Sequence, residues 1–119
     1  MIDAEFAQGF VQRWLAAWND HDLDAVLALY AEEAVLHSPR LKAVVGVEAE
    51  VVSGHGALRR YWARALELSG DLFFAIDKVF VGSDALTIVY VNHRQQDVAE
   101  TFVFDASGRV RESIAAYIS

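Results

Sequence analysis

Glu100 is the residue in this sequence best placed to do chemistry. It stands in the run Ala99-Glu100-Thr101-Phe102, whose character would enclose a carboxyl group that is costly to bury unless it is paired or protonated. A carboxyl held in that way titrates closer to neutral pH and can give or take a proton there. The competing reading is an ion pair with Arg111 across a hairpin, which would keep it ionised. His37, two residues before Pro39, offers an imidazole that titrates near neutral pH and could act as a base. Strand alternation sends His37 and Ser38 to opposite faces, so only one of the two can look into an enclosed space. Glu100 and His37 are thus the candidate catalytic residues. Trp14, Trp18, Trp62, Tyr90, Phe102 and Tyr117 are candidate ligand contacts, although aromatic residues at such positions are more often core. Three tryptophans in 119 residues, with Tyr30 and other tyrosines whose polar tips need partners when buried, exceed what a small core requires. Arg40 is either a solvated loop residue or a cover for a pocket mouth. His21 and His55 read as loop or cap residues.

The motifs that announce other chemistries are missing. Histidines 21, 37, 55 and 93 share no ligand-type spacing, and there is no cysteine, so no metal site is expected. Gly54-His55-Gly56 lacks the Lys-Ser/Thr that completes a phosphate loop, and no Gly-x-Ser-x-Gly elbow occurs. Action without a cofactor is the expectation. A net charge of -7 with no basic cluster argues against nucleic acid as a partner. No apolar run reaches the ~18–20 residues that span a bilayer, so no membrane association is expected. The acidic start, Ile2-Asp3-Ala4-Glu5, does not resemble an export signal, which points to the cytoplasm.

The elements that must position these residues follow from periodicity. With 55% hydrophobic residues, one proline and no linker-like stretch, residues 1–119 read as a single domain. Phe6, Phe10, Trp14 and Trp18 recur every fourth residue and mark a first helix leaving at Asn19. Asp22 suits the N-cap of a second helix with Leu23, Val26, Leu27 and Tyr30 on its apolar face. A short strand over 34–38 ends at Pro39, and the valine-rich stretch 41–53 is ambiguous, with a return strand as one reading. Leu58, Tyr61, Trp62, Ala65 and Leu66 mark a third helix over 57–68, stopped by Gly70. Beyond Gly70 the period becomes two, predicting strands at about 72–81, 85–93, 97–104 and 109–118. The Asp105-Ala106-Ser107-Gly108 turn sets Phe104 opposite Arg109 and Glu100 opposite Ser113. One face then carries Glu100, Phe102, Phe104, Arg111, Ser113, Ala115 and Tyr117. The other carries Thr101, Val103, Val110, Glu112, Ile114 and Ile118. The Arg94-Gln95-Gln96 loop admits more than one register, so the faces of Tyr90, Asn92 and His93 stay open. Helices followed by an antiparallel meander is an α+β order.

That order and two local strings resemble a known family. Trp18-Asn19-Asp20-His21-Asp22-Leu23-Asp24-Ala25-Val26 with Tyr30-Ala31-Glu32-Glu33-Ala34-Val35 is similar to the SnoaL-like branch of the NTF2-like superfamily. Tyr90-Val91-Asn92-His93-Arg94 and Glu100-Thr101-Phe102-Val103-Phe104-Asp105 through Gly108-Arg109-Val110 look like its closing hairpins. The resemblance implies a cone of three N-terminal helices packed on a curved, mostly antiparallel sheet, with a pocket between them and frequent dimerisation. The superfamily includes ketosteroid isomerases, polyketide cyclases, epoxide hydrolases, dehydratases and non-catalytic modules, so fold alone does not assign function. Glu100 aligns with the protonated acid of the isomerases' oxyanion hole. Ser38 replaces their carboxylate base and Trp14 their tyrosine, which argues against steroid isomerisation. Two readings remain open: a cofactor-independent acid–base enzyme acting on a small hydrophobic molecule, or a non-catalytic binding or dimerisation module. The apolar outer sheet face predicts a homodimer joined through it.

Overall fold

The structure is a computed structural model, and it describes residues 2–45 and 50–119. Helix α1 spans Ala4–Asn19, and its first turn is capped by Asp3, whose carboxylate accepts from the Phe6 amide at 2.8 Å. Phe10, Trp14 and Trp18 form its buried stripe. Asp22 caps α2, Leu23–Leu27, accepting from the Ala25 amide at 3.1 Å. This helix is only five residues long. Tyr30, expected on its apolar face, instead opens strand β1, Tyr30–His37, beside Val110. Burial of Val26 and Leu27 completes the helix contact, and the Leu29 carbonyl already accepts from the Val110 amide at 2.9 Å.

After Pro39 the chain forms α3, Leu41–Val45, and β2, Val51–Ser53, which pairs antiparallel with β1. The ambiguous stretch 41–53 is thus a helical turn and a return strand, with residues 46–49 of that reading outside the described residues. Helix α4, His55–Ser69, ends at Gly70, whose φ of 62° is the left-handed conformation that glycine adopts without strain. Four helices are therefore described rather than three, and two strands precede the last of them.

Strands β3 (Ala75–Val81), β4 (Ala85–Val91), β5 (Asp97–Phe104) and β6 (Val110–Tyr117) form the meander. The sheet order is β2-β1-β6-β5-β4-β3, antiparallel except where β1 runs parallel to β6. Two expected strands are shorter than periodicity suggests, because side chains capture their ends. Asn19 donates to the Phe74 carbonyl at 3.0 Å and accepts from its amide at 2.8 Å, tying the residues before β3 to the end of α1. Asn92 accepts from the amides of Arg94 and Gln96, at 2.9 and 3.0 Å, and so turns the chain after β4.

The β5–β6 register also differs. The Asp105 carboxylate accepts from the amides of Ser107 and Arg109, which tightens the loop until Phe104 faces Val110 rather than Arg109. An irregularity follows, since Val103 faces Glu112, and Arg111 is the extra residue of a bulge. Val110, expected on the outer face, is fully buried, and Arg111, expected on the inner face, is exposed. Beyond the bulge the offset is two residues, so Glu100 pairs with Ala115 while Ser113, Ala115 and Tyr117 keep the inner face. Behind that face the rings interlock: Phe10 meets Phe102 and Phe104 at 5.2 and 4.9 Å, and Trp14 stacks on Phe74 at 5.5 Å.

Candidate functional site

Between α1, α4 and the inner face of the sheet lies a cavity of about 80 Å³. Glu100 reaches it from β5, buried at 8% exposure. On the adjacent strand Tyr90 also points inward, and its hydroxyl donates to Glu100 Oε1 at 3.1 Å. Burial pushes the Glu100 carboxyl up to about 7, against the opposing pull of the Tyr90 hydrogen bond. Arg111, the partner that would have kept Glu100 ionised, lies on the bulge facing solvent. Glu100 can therefore exist in both protonation states near neutral pH, which is the condition for moving a proton in either direction.

Trp18 and Trp62 stand edge to face at 5.4 Å in the wall, joined by Tyr61, Phe74 and Tyr117. The phenols of Tyr90, Tyr61 and Tyr117 are all held above the ordinary tyrosine value, first by burial. The Glu100 charge adds to that effect in each case, while Ser38 and Arg40 oppose it for Tyr61 and Tyr117. They remain neutral hydrogen-bond donors at any ordinary pH. The Ser38 side chain is buried at 4% exposure, lines the cavity and accepts from the Arg40 amide at 3.2 Å.

Of the residues singled out in the sequence, Glu100, Trp18, Trp62, Tyr90 and Tyr117 line this cavity together. His37 does not. Alternation in β1 turns Ser38 inward and His37 outward, where its Nε2 lies 2.9 Å from Glu112 Oε2 on the outer face. It is therefore withdrawn as a pocket base. Trp14 and Phe102 are also displaced from the expected role. Both are completely buried behind the wall, with ring centroids 5.6 Å apart, and neither faces the cavity. His21 and His55 hold backbone carbonyls of Leu72 and Tyr30, at 2.8 and 2.9 Å. Tyr61 and Phe74 also line the cavity and are not among the candidates read from the sequence, whereas Ser38 is the alternative to His37 that alternation left open. Tyr61 was recoverable from the sequence, since it shares one helix face with Trp62 and Ala65. Phe74 was not, because its position depends on the Asn19 clamp.

Deeper than the cavity, the indole nitrogen of Trp14 and the hydroxyls of Tyr30 and Ser113 are buried with no hydrogen-bond partner of ordinary geometry. They lie near one another, since Ser113 and Trp14 both act on the Tyr30 phenol and burial raises it well above its usual value.

Comparison with known proteins agrees with this architecture. The profile of the SnoaL-like domain matches residues 11–116. A SnoaL-like protein of unknown function from Burkholderia thailandensis is 33% identical, with a TM-score of 0.93 over 99% of this chain and 98% of that one. A protein of unknown function with a cystatin-like fold from Methylobium petroleophilum is 22% identical, with a TM-score of 0.79 over 99% and 79%. The epoxide hydrolase/cyclase-like enzyme SalBIII, of pyran ring formation in the polyether salinomycin, is 15% identical, with a TM-score of 0.77 over 99% and 95%, a likeness of fold alone. With its α+β architecture, sheet order and profile match in accord, the chain belongs to the SnoaL-like domain family on the NTF2-like fold.

Proposed function

We propose that the cavity is a catalytic site in which Glu100 transfers a proton within a small ligand, without a cofactor. The observation that carries this reading is a buried carboxyl, poised near pH 7, that faces an aromatic cavity and is hydrogen-bonded by Tyr90. The ionised form would take a proton from carbon next to a carbonyl, and the resulting acid would return it at a second position. Neutral phenols such as Tyr117 would hold the oxygen as negative charge develops on it. Isomerisation and ring closure through an enolate both belong to this class.

The test needs no natural substrate. Wild type in deuterium oxide is expected to speed exchange of the α-hydrogens of cyclohexanone over the buffer rate. Glu100→Gln, which keeps a polar side chain of the same size, is expected to lower the enzymatic rate about 100-fold. Equal rates in the two proteins, or none above buffer, would reject the enzyme reading. A non-catalytic binding module is the second reading. It is favoured by the absence of a second carboxylate or imidazole lining the Glu100 cavity among the described residues.

A homodimer through the outer sheet face is part of the same proposal. Ile114 and Ile118 are 43% and 62% exposed there, which is apolar surface that a two-fold contact would remove from water. Light scattering at micromolar concentration is expected to give the dimer mass, and Ile114→Glu to give the monomer. A wild-type monomer would refute this contact.

A further inference from the structure

We propose that the cavity accepts a compound of one ring bearing a carboxylate, with the ring between the aromatic walls and the carboxylate on Arg40. The inference rests on the reading of the cavity as a ligand site and goes on to name the ligand's class.

Size sets the first limit. A second chamber of about 60 Å³ shares Tyr61, Phe74, Tyr90 and Tyr117 as walls with the one at Glu100. Together they come close to the ~150 Å³ that holds a benzene ring. Fused polycyclic frameworks do not fit this space. The walls are flat and apolar, which favours a planar ring over a flexible chain.

Charge sets the second. Arg40 lines the mouth, half-buried, with its guanidinium carbon 5.7 Å from the centre of the Tyr117 ring. It has no carboxylate partner among the described residues. This is notable in a chain of net charge -7, where acids are plentiful. Its planar fork, pinned over a ring, presents paired donors that match a carboxylate in two-point contact. His93 lines the same chamber. The groups whose charges reach this imidazole are Asp71, exposed to solvent, Arg94 and Arg40. Burial lowers its basicity, so near pH 7 it is a neutral imidazole that adds no second positive charge beside Arg40. An arginine without a carboxylate partner thus lines an apolar-walled chamber, and a ligand carboxylate would pair with it there.

Titration of the fluorescence of Trp18 and Trp62, both in the wall, with benzoate, benzamide and 2-naphthoate tests this. Benzoate is expected to bind at least about tenfold tighter than benzamide, the scale of one charge-assisted contact. It is also expected to bind tighter than 2-naphthoate, whose second ring exceeds the space. Arg40→Gln, at a half-exposed loop position, is expected to bring benzoate and benzamide within about twofold of each other. Circular dichroism would verify its fold. Benzamide binding as tightly as benzoate, a preference that survives Arg40→Gln, naphthoate binding tightest, or no binding by any probe would each overturn the inference. Proton transfer by Glu100 is measured separately on cyclohexanone, so either proposal can fail while the other stands.

Discussion

Replacing Glu100 with leucine is expected to stabilise the protein relative to wild type by about 3 kcal/mol more at pH 8 than at pH 4. The folded carboxyl titrates at about 7, against 4.5 when unperturbed. Below pH 4.5 it is protonated in both folded and unfolded chains, and pH makes no difference. Between 4.5 and 7 the unfolded chain releases the proton and the folded chain retains it. Rising pH therefore favours unfolding of wild type throughout that window, and above 7 the penalty is complete and constant. A gap of that width at ~1.4 kcal/mol per pH unit gives the stated magnitude. Leucine has no proton to lose. Its own cost is the Tyr90 hydroxyl left without its acceptor, ~1–3 kcal/mol at every pH, which displaces the difference curve without tilting it. Glu100→Gln should show the same tilt with a smaller displacement, since an amide still accepts from Tyr90. Urea unfolding of the three proteins from pH 4 to 8 measures this, and titrations elsewhere in the chain cancel in the differences. A flat difference, or wild type gaining with pH, would mean that the folded carboxyl is ionised and the proton-transfer reading is wrong.

The inward face of Glu100 was legible in the sequence for a reason that tolerated an error in detail. Counting back from the Asp105–Gly108 turn placed Glu100 opposite Ser113, whereas it faces Ala115. Because side chains alternate with period two, an offset of two residues leaves the faces unchanged, and Ser113, Ala115 and Tyr117 stayed with Glu100. Only residues at the bulge itself were misplaced, Arg111 and Val110, and those depend on the Asp105 side chain capturing its own loop. The same local capture explains the other losses. No period reveals that Asn19 will clamp Phe74, or that Asn92 will turn the chain after Val91. His37 was open by alternation alone. Choosing between it and Ser38 needed to know which face of β1 is enclosed, and that depends on its parallel pairing with β6, a contact between residues far apart in the sequence. The helices were legible where caps and stripes agreed, as at Asp22 and Gly70. Tyr30 failed because a tyrosine continues a helical stripe as readily as it begins a buried strand.

Trp14 illustrates how a stripe residue can be mistaken for a ligand contact, and it carries the other large expected effect. Trp14→Ala should cost about 3–5 kcal/mol of stability, a large share of the ~5–15 kcal/mol that holds a domain together. Its ring is completely buried, stacked on Phe74 at 5.5 Å and set edgewise to Tyr90 and Phe102 at 5.2 and 5.6 Å. Truncation empties the space behind the cavity wall and frees Tyr90, the residue that orients Glu100. Trp14→Phe separates packing from polarity. Phenylalanine keeps a ring against Phe74, although a smaller one, and it deletes an indole N–H that is buried without a partner of ordinary geometry. Relief of that unsatisfied donor is worth ~1–3 kcal/mol and offsets most of the lost contact, so the net change should stay below about 1.5 kcal/mol. Urea unfolding at pH 7 distinguishes the two variants. If Trp14→Ala costs under about 1 kcal/mol, the ring is not the core element described. If phenylalanine costs as much as alanine, the indole N–H is not the unsatisfied donor described.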